Sequence, residues 1–126
     1  MNRTWFASIL LAVLLGIGIL VSFLIGNIAK ETESLLKKSV SYVELGDFSS
    51  AESHCRKTLD YWMEHHGIMA AFLRHDEPDA VETGLAQLIS YARTQDNDEF
   101  LAVFEEVRYH LNHIREMELP KMQNIL

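Results

Sequence analysis

The sequence predicts an all-α fold, in which an N-terminal transmembrane helix continues into a small antiparallel four-helix bundle. Two observations carry this prediction: a long uncharged apolar run at the N-terminus, and apolar residues that recur at alternating spacings of four and three through the rest of the 126 residues. A chain of this length forms one small domain, which excludes a multidomain enzyme. Its single cysteine excludes an intramolecular disulfide.

The apolar run extends over 24 residues, from Trp5 to Ile28. As a helix it measures about 36 Å, which exceeds the roughly 30 Å hydrocarbon core of a bilayer. A secretory signal peptide has a shorter apolar region and ends at a small-residue cleavage site, which the segment around Asn27 and Ala29 does not supply. The run therefore predicts an uncleaved signal anchor, and Trp5 lies where an interfacial aromatic residue belongs.

The flanking charges leave the orientation of this helix open, because Arg3 precedes it and Lys30, Lys37 and Lys38 follow it. A very short tail before a signal-like run is typical of an anchor whose C-terminal part is translocated. We therefore expect a single-pass protein of the cell membrane with its C-terminal domain outside the cytoplasm.

Small residues recur every four positions along the apolar helix, and Gly18, Ser22 and Gly26 form one such set. Small residues at this spacing allow two membrane helices to approach closely. They are also common in membrane helices that pack only against lipid. Self-association through these three residues is therefore one of two interpretations of the pattern.

The sequence beyond the anchor predicts four helices joined by short connections. The first three are predicted at about 30–45, 50–74 and 76–94, and the last begins at the cap formed by residues 96–99 and ends before Pro120. A capping box at Ser49 to Glu52 begins the second helix, and a bend is expected at Gly67, since an interior glycine weakens a helix by about 1 kcal/mol relative to alanine. The predicted organisation is an N-terminal tail at 1–4, the anchor at 5–29, the bundle at 30–119 and a C-terminal tail at 120–126.

Apolar residues on one side of each helix predict the core of the bundle. Their alternating spacings of four and three are those of helices that pack as in a coiled coil. The predicted core residues are Leu59, Trp62, Met69, Leu85, Leu88, Phe100, Phe104, Val107 and Leu111.

The six histidines raise the question of a metal or haem site. His110 and His113 share a helix face, and His66 lies on the apolar side of the second helix. The Glu-x-x-His pairs of di-iron bundles and the H-E-x-x-H motif of zinc proteases are both missing from the sequence. No metal, cofactor or catalytic residue is therefore predicted, and His66, His110 and His113 remain the candidates for a single metal or haem site.

Acidic residues outnumber basic residues by 18 to 11, and the formal net charge is −7. A field of this sign repels phosphate backbones and anionic lipid, which argues against nucleic-acid binding. The expected partners are the membrane and either a protein partner or a second copy of the chain.

Several residues together resemble a known family: Trp62, the junction from His75 to Glu77 with Asp79 after it, two amphipathic helices, and the C-terminal residues 124–126. The sequence is similar over nearly its whole length to short, membrane-anchored proteins of Gram-positive, largely clostridial bacteria that are catalogued as a domain of unknown function. It departs from their pattern at Pro78, where an ordinary helix former is expected. The resemblance implies location and architecture and no activity.

These patterns favour a non-enzymatic protein-protein interaction module at the cell envelope. Cys55 lies on an apolar helix face, where a thiol is inert, and the sequence contains no glycine-rich phosphate loop or nucleophile elbow. Two alternatives stay open. One is a sensory or ligand-binding four-helix bundle that works with a membrane partner, and the other is a histidine-ligated metal or haem protein.

Overall fold

The computed structural model describes the backbone of residues 2–74 and 76–125, and the side chains of these residues as far as Glu116. This part of the chain forms five helices and no strand. They are α1 (Asn2–Glu44), α2 (Phe48–Glu64), α3 (His66–Phe72), α4 (Asp76–Arg93) and α5 (Asn97–Ile125). The predicted all-α class is confirmed.

Four of the helices form an antiparallel bundle. Both α1 and α4 pack against α2 and α5, so the order around the core is α1, α2, α4, α5. Short turns join α1 to α2 and α4 to α5, and these two turns form what we call the distal end of the bundle. The opposite, proximal end adjoins the apolar N-terminal segment and includes the short α3. This is the up-and-down arrangement that the sequence predicts.

The apolar run and the first helix of the bundle belong to one continuous helix, α1. Its residues are exposed or half-buried as far as Leu24, and full burial begins at Ile25. The buried positions of α1 are Ile25, Ile28, Ala29, Thr32, Glu33, Leu36, Ser39 and Val43. The core of the bundle therefore begins inside the last turns of the predicted 5–29 anchor.

In the turn between α1 and α2, a glycine in the left-handed backbone conformation ends α1. Gly46 has a φ of 76°. Its N–H donates to the carbonyl of Val43, and the N–H of Asp47 donates to the carbonyl of Tyr42, both at 2.9 Å. These two bonds satisfy carbonyls at the helix end, and glycine adopts the required φ without a steric penalty.

Asp47 caps the start of α2, since its Oδ1 accepts a hydrogen bond from the N–H of Ser50 at 3.1 Å. The predicted capping box at Ser49 to Glu52 is therefore wrong, because Asp47 precedes it and already provides the cap. Glu52 instead contacts Arg56 of its own helix at 3.1 Å and Arg93 of α4 at 3.0 Å.

The turn between α4 and α5 repeats this construction. Gln95 has a φ of 58° and its N–H donates to the carbonyl of Ala92 at 3.2 Å, while the N–H of Asp96 donates to the carbonyl of Tyr91 at 2.9 Å. Asp96 Oδ1 accepts from the N–H of Glu99 at 3.2 Å. The first turn has a tyrosine and an aspartate at the same spacing, so the two hairpins of the bundle are built alike.

The sequence predicts one helix over 50–74, whereas the structure has two. His65 lies outside both helices, with φ −102° and ψ 5°. Its N–H donates to the carbonyl of Trp62 at 3.1 Å, a bond to the third preceding residue that tightens the end of α2. Gly67 follows the break within the first turn of α3, where its low helix propensity weakens continuity. Met69 and Leu73 remain buried beyond the break.

Eight of the nine predicted core residues are buried. These eight are Trp62, Met69, Leu85, Leu88, Phe100, Phe104, Val107 and Leu111. Leu59 is only half-buried, because the neighbouring Thr58 occupies the interior position and donates its hydroxyl proton to the carbonyl of His54 at 2.7 Å. This intrahelical bond makes a buried threonine tolerable in the core.

The last helix extends further than its predicted end. The sequence places that end before Pro120, whereas the backbone of α5 remains helical to Ile125. A proline removes one backbone hydrogen bond and kinks or breaks many helices. Here the helical backbone continues through it into the predicted tail at 120–126.

Candidate functional site

The N-terminal half of α1 exposes the most extensive apolar surface in the described part of the chain. Its most apolar stretch of 18 residues is only 6% buried. Trp5 is 70% exposed, and Phe6, Leu14 and Leu20 are exposed as well. Soluble proteins rarely expose contiguous apolar patches larger than a few hundred Å². This helix is long and apolar enough to span a membrane.

The two glycines among the predicted packing residues of this segment make no close contact within the chain. Gly18 is exposed, while Ser22 and Gly26 are half-buried. A Cβ atom added at either glycine would meet no other atom within 4 Å. The fold of a single chain therefore does not require these glycines, and close packing against a second membrane helix remains a prediction.

The candidate histidines lie in two separate clusters. In the first, His66 of α3 faces α4, and its Nε2 lies 3.8 Å from Asp79 Oδ1 and 4.0 Å from Glu82 Oε2. One ligand atom from each residue lies within 4.8 Å of the other two. Ligands of a tetrahedral zinc ion lie about 3.4 Å apart. These three side chains could hold a metal ion only if their ligand atoms moved closer together than they lie in this structure.

His110 and His113 belong to the second cluster, where both face Glu77 in the first turn of α4. His113 Nδ1 lies 2.8 Å from Glu77 Oε1, and His110 Nδ1 lies 3.5 Å from Glu77 Oε2. The Glu77 side chain is only 13% exposed. The ring of His113 stacks on Tyr109, with the two planes within 3°. His113 thus provides a hydrogen-bond partner for a nearly buried carboxylate, whereas His110 Nδ1 and Glu77 Oε2 form no hydrogen bond with the described side chains.

Glu33 of α1 is a second nearly buried carboxylate, with a side chain that is 10% exposed. It lies 3.5 Å from Lys37 Nζ, 3.5 Å from Arg108 Nε and 3.4 Å from Arg115 Nη1. The sequence signals only the pair with Lys37, four positions along the same helix. Arg108 and Arg115 reach Glu33 through the packing of α5 against α1. A buried charge is tolerated only with such partners, so this cluster ties the two helices together.

The thiol of the single cysteine, Cys55, is unreactive. Cys55 is fully buried, and burial raises the pKa of its thiol to about 11, an effect that the hydroxyl of Ser39 opposes only in part. The thiolate is the nucleophilic form, and at neutral pH it is almost unpopulated at such a pKa. Cys55 therefore contributes to packing of the core.

Comparison with known proteins places the chain in a family without assigning it an activity. No curated protein and no solved structure matches it significantly. The family described as a domain of unknown function, DUF4363, matches residues 19–125. The match includes the end of the apolar segment and nearly all of the bundle, so the chain belongs to the DUF4363 family.

Proposed function

We propose that this chain is a single-pass membrane protein of the cell envelope, and that its bundle is a non-enzymatic module that binds another membrane protein. The observation that carries the proposal is α1, in which the exposed apolar segment and the first bundle helix are one uninterrupted helix. A continuous helix provides no hinge between anchor and bundle. The bundle would therefore present a constant face to a partner in the same membrane.

The length of the exposed segment supports the anchor. Because burial begins at Ile25, the segment from Trp5 to Leu24 is available to lipid. As a helix these 20 residues measure about 30 Å, which equals the thickness of a typical hydrocarbon core. The proximal end of the bundle, with α3, would then lie at the membrane surface.

The surface of the bundle favours binding over catalysis. The Cys55 thiol is buried and protonated, and the nearly buried carboxylates of Glu33 and Glu77 are engaged by side chains of α5. Apolar and aromatic side chains are common anchors at protein interfaces. Among the side chains of the bundle that the structure describes, the most exposed of this kind are Leu45, Met63, Phe72 and Tyr109.

The anchor is tested by placing charge in the middle of the apolar segment. The full chain is expected to remain in the membrane fraction during alkaline carbonate extraction. Leu14→Lys combined with Leu15→Lys should release it, because each lysine at the centre of a membrane helix costs about 2.5–3.5 kcal/mol. Leu45→Lys with Met63→Lys is the matched control, because Leu45 and Met63 are exposed and lie outside the apolar segment. Release of the unmodified chain would contradict the anchor.

Labelling of a cysteine in intact cells tests the orientation of the bundle. Ser49 is exposed at the distal end, so Ser49→Cys in a Cys55→Ala background provides one accessible thiol. We expect a membrane-impermeant maleimide to label it in intact cells, because the bundle is proposed to lie outside the cytoplasm. Labelling only after lysis would place the bundle inside.

The partner is tested by photo-crosslinking in intact cells, with a photoreactive amino acid at Leu45, Phe72 or Tyr109. At least one position is expected to give a discrete adduct that is heavier than the 14.5 kDa chain. An adduct of twice that mass would identify a second copy of the chain as the partner. The absence of an adduct at all three exposed positions would contradict the proposal.

A further inference from the structure

A pocket of 220 Å³ that is lined by charged and polar residues lies between α1 and α5, near the apolar segment. Its lining residues are Lys30, Glu33, Ser34, Lys37 and Arg115. Four of them belong to α1, and Arg115 comes from α5. The pocket exists because the packing of α5 against α1 brings Arg115 within 3.4 Å of Glu33.

The described side chains give this pocket a positive charge, although the chain as a whole carries −7. Lys30, Lys37 and Arg115 line it together with one carboxylate, that of Glu33. Arg108 contacts the same carboxylate at 3.5 Å and also contacts Glu105 at 3.7 Å. Three cations therefore contact the almost buried carboxylate of Glu33, and Lys30 lines the same pocket without contacting it. The overall acidity, which argues against anionic ligands, does not apply to this face.

The position of the pocket relative to the anchor indicates the source of its ligand. Lys30 is the first charged residue after Arg3 and lies six positions beyond Leu24, about 9 Å further along the helix axis. The headgroup layer on each side of a bilayer is about 5–7 Å thick, so the backbone of Lys30 lies just outside this layer. Side chains of a helix lean towards its N-terminus, so the lysines of α1 lean towards the membrane.

We infer that this pocket binds the phosphate group of an anionic phospholipid. The inference rests on the membrane anchor of the proposed function and holds for either orientation of the bundle. The basic side chains provide charge-assisted hydrogen bonds to phosphate oxygens, and the Ser34 hydroxyl is a further donor. A basic residue near an anionic membrane surface contributes about 1 kcal/mol, or about fivefold in affinity. The bundle would thereby hold a lipid of defined charge beside its anchor.

The test measures which lipids the full chain retains. The chain is reconstituted in nanodiscs with equal amounts of phosphatidylglycerol and phosphatidylcholine, and native mass spectrometry counts the lipids that remain bound after gentle detergent extraction. The unmodified chain is expected to retain phosphatidylglycerol preferentially. Lys30→Gln with Arg115→Gln should reduce this preference at least about fivefold.

Two further variants separate the pocket from general effects of charge and folding. Lys30→Gln alone should lower the preference without disturbing Glu33, because Lys30 forms no ion pair among the described side chains. Arg56→Gln with Arg93→Gln removes the same charge around the half-buried carboxylate of Glu52, towards the distal end, and should leave the preference unchanged. An equal loss in this control would overturn the inference.

Three other outcomes are informative. They show whether the pocket has no lipid preference, whether it binds a soluble anion, or whether the chain has no membrane anchor. If the unmodified chain retained both lipids equally, the inference that the pocket binds an anionic lipid would be overturned. The membrane anchor, which carbonate extraction tests, would not be affected. Binding of inorganic phosphate by the lipid-free chain in neutral detergent, with loss in Lys30→Gln, would assign the site to a soluble anion and overturn the lipid as ligand. Failure of the chain to enter nanodiscs would overturn the anchor and the inference together.

Discussion

Replacing Trp62 with alanine is expected to lower the free energy of unfolding of the bundle by about 3–5 kcal/mol, the usual cost of a large aromatic deletion in a core. The side chain is completely buried near the proximal end of α2. Its indole N–H donates to the carbonyl of Pro78 at 3.3 Å, which connects α2 to the first turn of α4. The alanine variant loses this contact and leaves a cavity between the two helices.

Denaturant unfolding of the full chain in detergent micelles, followed by circular dichroism, measures this effect. Trp5→Ala provides the matched control, because Trp5 is 70% exposed and lies outside the bundle. Trp62→Phe retains most of the volume and removes the hydrogen bond to Pro78, so an intermediate loss is expected. A change of less than about 1 kcal/mol in Trp62→Ala would contradict the role of this residue in the core.

Hydrophobic spacing was sufficient to predict α4 and the N-terminal part of α5. Every predicted core residue of these two helices is buried: Leu85 and Leu88 in α4, and Phe100, Phe104, Val107 and Leu111 in α5. Both helices begin at acidic segments and have one clearly apolar side. Local sequence and tertiary packing therefore favour the same helix rotation.

The pattern was less reliable in α2 and α3 because polar residues share their interior side. Thr58 is buried where Leu59 was expected, since its hydroxyl can bond to the preceding turn of its own helix. The break at His65 depends on one residue with nonhelical torsion angles. A four-three spacing continues across such a break, so spacing alone cannot locate it.

The charged clusters could not be predicted because their partners are distant in the sequence. Arg115 lies 82 positions from Glu33, and His113 lies 36 positions from Glu77. In both cases α5 provides the partner, and its alignment with α1 and α4 follows from packing. The sequence signals only that histidines and acidic residues are abundant. The sequence does not show that the nearly buried carboxylates of Glu33 and Glu77 need partners from α5.

Gly84→Val is expected to lower the free energy of unfolding by about 3 kcal/mol, at the upper end of the usual range for overpacking. Gly84 is buried in α4 at its contact with α5, and a Cβ atom there would overlap Cγ2 of Val107. Val107 is β-branched and has little rotational freedom in a helix, so it cannot move aside easily. This strain exceeds the helix propensity that replacing a glycine recovers, which is under about 1 kcal/mol.

The strain at Gly84 predicts a specific rescue. Val107→Ala removes the overlapping methyl group, so the double variant with Gly84→Val should be more stable than Gly84→Val alone, although Val107→Ala alone is destabilising. Gly67→Val is the matched control, because a Cβ atom at Gly67 meets no atom within 4 Å. Denaturant unfolding of the four variants measures the coupling. Additive losses would show that α4 and α5 do not approach closely at Gly84, and that its glycine is not required by the packing of the bundle.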